Sequence, residues 1–88
     1  MQHEMPHGVS EASLDRVDRI CERARTLAEA GVDLQRAAPE LLELAQGERW
    51  VVEAARQNIE ETARRTADGT SMRAAVLLSE VLDLGILR

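Results

Sequence analysis

The stretch AAVLLSEVLDLGILR, residues 74–88, holds ten apolar residues in fifteen and poses the question on which the fold turns: what covers it. Wound at 100° per residue, Arg73, Ser79, Glu80 and Asp83 share one arc of roughly 120°. Leu77, Leu78, Val81, Leu82, Leu84 and Ile86 fill the other two-thirds, with Val76 and Leu87 stranded inside the polar arc. A helix packed on one neighbour needs an apolar arc only a little over 100° wide. This one is about twice as wide, so it must be contacted from more than one side.

The rest of the chain offers limited cover. Its 88 residues make one domain near the lower end of sizes that fold alone. Thirteen of the 39 apolar residues are Ala, there is no Phe or Tyr, and Trp50 is the single large aromatic. Such a core buries little area per residue, and at roughly 25 cal/mol per Å² it offsets chain entropy narrowly. Small scaffolds close that gap with disulfides, a metal or a partner chain. One Cys and no ligand cluster leave the partner chain, so the expectation is a homodimer or other homo-oligomer, with the central helix of a monomeric bundle and a groove for a heterologous protein as the other two options. The expected partner interface comprises Trp50, Val52, Leu77, Leu78, Val81, Leu82, Leu84 and Ile86.

Outward from the tail, the period is helical throughout. Ser10 is placed to cap a first helix, with Val9 stapled onto Leu14. Leu14, Val17, Cys21, Ala24 and Ala28 then recur at three- and four-residue steps, widened by Ile20 and Leu27. Gly31 ends this helix in the left-handed conformation, and Val32 folds back on Leu27. Asp33 can cap a turn, but Pro39 argues for a separate helix over 39–46, and the sequence leaves open whether residues 33–47 are one kinked helix or two elements. A third helix is expected over 48–68, with Val52, Ala55, Ile59, Ala63 and Thr66 on one side and the pairs Glu60–Arg64 and Glu61–Arg65 outward. Gly69 ends it, Thr70 or Ser71 caps a helix over 71–86, and the short link forces an antiparallel helical hairpin. The expected class is all-α, a small bundle of three or four helices, with residues 1–9 as an N-terminal extension and 10–88 as a single helical domain.

Charge narrows the function. The net charge of −5 and pI near 5.0 work against nucleic acid and anionic membrane, both of which are bound through excess positive charge. No segment has the length of a membrane span, the N-terminus lacks the pattern of a signal peptide, and one Cys fits a reducing compartment, so cytoplasm is expected. All eleven basic residues are Arg, which with abundant Ala reads as the coding bias of a GC-rich bacterium.

Chemistry is thin. The start MQH could chelate Cu(II) or Ni(II), but a plain terminal extension is the simpler reading. A zinc site needs three or four ligands, and beyond His3 and His7 none is in view. Cys21 falls on the buried stripe as a small core hydrophobe, with no His in its helix to serve as a base. Arg16, Arg19 and Arg23 interleave with Asp15, Asp18 and Glu22 as a solvated face. The stretch GTSMRAAVLLSEVLDLGI resembles the serine-bearing helix of acyl carrier proteins, which would make Ser71 a phosphopantetheine site. The Asp expected before that Ser is Thr70 here, and the reading is set aside. No cofactor or catalytic residue is expected. The function expected is a small acidic interaction module, self-associating, acting as an adaptor or regulatory subunit. An antitoxin- or immunity-like protein that neutralises a basic target is the nearest alternative. A small enzyme with Arg49, Arg56 and Arg73 around an intersubunit site is the alternative from a different class.

Overall fold

A computed structural model describes residues 11–88, with side chains from Leu14 onward. Among these residues the chain forms four helices and no strand: α1 (Glu11–Glu29), α2 (Leu34–Ala45), α3 (Arg49–Thr66) and α4 (Gly69–Asp83). The all-α bundle expected from the sequence is the fold, and α3 and α4 form its antiparallel hairpin with the most extensive helix contact in the molecule. Ser10 and Val9, and with them the expected cap and staple, lie outside the described residues, as do His3 and His7.

The end of α1 follows its sequence. Gly31 sits at φ 74°, its N–H donates to Ala28 O at 3.1 Å, and Val32 N–H donates to Leu27 O at 3.0 Å. This pair of bonds satisfies two carbonyls of the last turn and brings Val32 back over the helix end.

The second helix corrects the sequence reading. It begins at Leu34 rather than Pro39, because the Asp33 side chain accepts from Arg36 N and caps a turn that continues through the proline. Pro39 lacks the N–H that would reach Gln35 O, yet both residues are exposed and the orphaned carbonyl can face water. Burial of Ala37, Ala38, Leu41 and Ala45 on the core offsets that lost bond. Gln46 and Gly47 then take consecutive left-handed conformations, at φ 53° and 78°, and turn the chain into α3. Glu48, at the N-cap position of α3, makes no side-chain cap bond and instead pairs with Arg16 of α1 at 2.6 Å. Arg16 also donates to Ala45 O at 3.1 Å, which holds the start of α1 on the end of α2. Further along, Arg23 and Glu40 form a two-pronged pair at 2.9 and 3.0 Å between the same helices.

Two further boundaries differ from expectation. The left-handed residue that ends α3 is Ala67, not Gly69, and Asp68 caps α4 by accepting from Thr70 N at 3.1 Å. Gly69 is therefore the first residue of α4 rather than the end of α3. At the other end, α4 stops at Asp83, because Gly85 at φ 73° turns the chain away before 86. The last residues fold back on the α2–α3 turn: Arg88 N donates to Gly47 O, and Arg49 N donates to Arg88 O. That turn buries Leu87 and leaves Ile86 outward.

The question of cover is answered within the chain. α4 touches all three other helices, and its inward arc of Ala74, Leu77, Leu78, Val81 and Leu82 is buried among Ile20, Ala24, Leu41, Ala55 and Ile59. The Ala-rich stripes make this possible: small side chains on α1, α2 and α3 let those helices close on the large ones of α4.

Candidate functional site

The eight residues expected at a partner interface separate into three groups. Val52, Leu77, Leu78, Val81 and Leu82 are buried in the chain's own core, Leu77 at the floor of a surface groove. Trp50 is half-buried against that core at the start of α3. Leu84 and Ile86 are exposed beyond the end of α4. The remaining exposed large apolar side chains are Leu14, Met72 and Val76, and the last two stand one helical turn apart on the outer face of α4, each more than half exposed.

Met72 and Val76 border a groove of about 630 Å³ between α3 and α4. Ala63 and Ala75 line it with small side chains, while Glu60 and Arg64 border it from α3 and Ser79, Glu80 and Asp83 from α4. A second groove of about 500 Å³ runs on the other side of α4, where Ala28, Val32 and Leu34 meet Leu77, with Arg73 and Glu80 at its edge. Val76 and Glu80 line both grooves, so Val76 is an apolar ridge between two troughs. The feature that marks this site in the sequence is the one that looks anomalous there: an apolar residue at 76 within the arc of Arg73, Ser79, Glu80 and Asp83. Met72 has no such signal.

The groups with chemical potential are placed differently. Cys21 is buried on α1 with its thiol facing Ala55 O of α3 at 3.6 Å, and burial pushes its pKa from 9.0 to about 11, with Arg25 pulling against that and Asp18 and Glu22 adding to it. A thiol so protonated is packing material, not a nucleophile. Ser71 is fully buried and donates to Asp68 Oδ2 at 2.9 Å, so no prosthetic arm can reach it in the folded state. That bond and the Thr70 N–H hold the Asp68 carboxyl below its ordinary pKa of 3.8.

Arg49, Arg56 and Arg73 are not gathered in one place. Arg49 pairs with Glu53 at 2.9 Å at the start of α3, Arg56 is half-buried with an unpartnered Nε, and Arg73 lies on α4 at the edge of the second groove. On the outer face of α1 the Asp15–Arg19 pair closes at 3.1 Å, as the spacing implies, whereas neither Glu60–Arg64 nor Glu61–Arg65 closes. Among the described residues no three His, Cys, Asp or Glu side chains gather as a metal site, and no helix is long and apolar enough to cross a membrane. Comparisons with protein-family models, with curated proteins and with solved structures find no match to this chain.

Proposed function

We propose that this chain is a small acidic protein–protein interaction module that docks through the outer face of α4, in the cytoplasm, as an adaptor or regulatory subunit. One observation carries the reading. The helix whose inner arc is enclosed by three neighbours keeps Met72 and Val76 in solvent, 57% and 56% exposed, between two grooves. Apolar ridges beside shallow troughs with a charged rim are the usual form of a protein docking surface. Ala63 and Ala75 leave room for an incoming side chain, and Arg64, Arg73, Glu80 and Asp83 supply the rim.

Solution mass and hydrophobic-dye fluorescence, measured together on wild type and Val76→Glu, test this. The wild type is expected either to exceed monomer mass or to remain a monomer that binds dye. Because Val76 is a surface residue, its replacement should change monomer stability by no more than about 0.5 kcal/mol. It should convert either wild-type behaviour to a dye-silent monomer. A wild type that is already a dye-silent monomer refutes the docking reading.

A further inference from the structure

We infer that the occupant of the α4 face is a second copy of this chain, docked with α4 antiparallel to α4 about a twofold axis near Val76. The inference rests on the docking reading above and adds the identity of the partner.

The order of charge along the strip carries it. On the exposed side of α4, Arg73 lies toward the N-terminal end and Glu80 and Asp83 lie in the last turn. Antiparallel α3 repeats the order, since Arg64 and Arg65 in its last turn lie beside the start of α4 and Glu60 lies a turn further along. On α4 this order runs against the preference of an isolated helix, whose macrodipole favours acids at the N-terminus and cations at the C-terminus, whereas the arginines in the last turn of α3 agree with it. Glu80 and Asp83 are also three residues apart, close enough to repel. Neither forms an ion pair among the described residues, and the one bond of the Arg73 side chain is a long 3.5 Å donation to Thr70 Oγ1. The strip therefore holds three charges that form no ion pair among the described residues, arranged around an apolar ridge.

A second copy turned end for end sets an opposite charge beside each of them, one arginine against two carboxylates on either side of the axis. With the axis near Val76, Arg73 of each chain opposes Glu80 and Asp83 of the other, and the twofold makes each pairing twice. The two α4 dipoles then run in opposite directions, which favours the antiparallel arrangement again. The Met72–Val76 ridge of each copy faces the α3–α4 groove of the other, where Ala63 and Ala75 permit close approach. A parallel arrangement sets arginine on arginine and acid on acid. A basic foreign protein satisfies the acidic end alone and leaves Arg64 and Arg73 unpaired. From Met72 to Asp83 the strip is roughly 17 Å long at 1.5 Å per residue, so the interface belongs to the small class and the dimer forms and dissociates with concentration.

Charge reversal tests the geometry. Sedimentation equilibrium on the full chain should show wild type passing from monomer to dimer with concentration. Arg73→Glu alone, and Glu80→Arg with Asp83→Arg, should each weaken self-association by tenfold or more. An equimolar mixture of those two variants should recover the wild-type affinity, because each chain then carries the sign that the other lacks. Melting temperatures taken at concentrations where every variant is a monomer should not fall, since both reversals bring the charges into line with the helix dipole. A mixture that stays monomeric, or reversed variants that keep wild-type affinity, overturns the pairing. A monomeric wild type also overturns it: if that monomer binds hydrophobic dye at Val76 the docking surface stands with another occupant, and if it is dye-silent both readings fall.

Discussion

Raising the pH from 8 to 11.5 isolates a single side chain in this protein. The sequence has no Tyr, and its eleven basic residues are all Arg, so neither phenol nor lysine titrates in that range. Arginine keeps its proton, and the terminal amine is spent near 8. Cys21 remains. The residue is 8% exposed between α1 and α3, and burial raises the thiol pKa from 9.0 to about 11. For a group whose folded pKa is raised, the stabilising contribution is complete below the unfolded value and is lost as pH climbs through the folded one. Stability should thus be flat to about pH 9, fall by up to about 1.4 kcal/mol per pH unit between 9 and 11, and level off above. The total comes to about 2 to 3 kcal/mol, against an expected stability of about 4 to 13 kcal/mol for a chain of this length. Urea unfolding followed by far-UV circular dichroism, under reducing conditions at fixed protein concentration, reads this directly. Cys21→Ala supplies the control: it loses some packing at every pH but has no slope between 9 and 11. Equal slopes in wild type and Cys21→Ala refute the assignment of Cys21 to a dry core position.

Two stability predictions follow from burial and capping. Leu78 is fully enclosed on the inner face of α4, so Leu78→Ala should cost about 3 kcal/mol in urea unfolding, whereas Val76→Ala on the same helix should cost under about 0.5 kcal/mol. Asp68 accepts from Thr70 N and from the buried Ser71 hydroxyl, so Asp68→Asn should lower the melting temperature at neutral pH. Its carboxyl titrates below the ordinary 3.8, so the stability that it contributes is present above that value and is lost as pH falls through the lower, folded one. Thermal melts between pH 5 and 2 should converge for wild type and Asp68→Asn at the acid end, and a constant gap between them refutes this role.

Local signals in this sequence were legible where the physics is local. Gly31 and Val32 close α1 through bonds that span five residues, and the sequence contains everything that cap needs. The start of α2 was not legible in the same way, because the energy that carries a helix through Pro39 comes from Ala37, Ala38 and Leu41 packing on distant elements. The α3–α4 link shows a subtler competition. Gly69 has the greater freedom to end a helix, yet the Asp68 side chain fixes the start of α4 one residue earlier and leaves Ala67 in the left-handed position.

The candidate site divides along the same line. The wide apolar arc of α4 correctly implied contact from several sides, but a helical wheel does not distinguish the chain's own helices from another chain. Alanine stripes that look too thin to cover leucines do so by close approach, and this takes Leu77, Leu78, Val81 and Leu82 out of the surface. The proposed docking ridge is legible instead in the polar arc, where Val76 interrupts the charges.

Solution mass across a wide concentration range, on wild type and Val76→Glu side by side, tests the central claim most directly. Self-pairing through α4 predicts that wild type rises from 9.7 kDa toward twice that mass, while Val76→Glu stays at monomer mass with an unchanged melting temperature in dilute solution. A wild type that holds monomer mass at every concentration, or a Val76→Glu variant that assembles as wild type does, contradicts it.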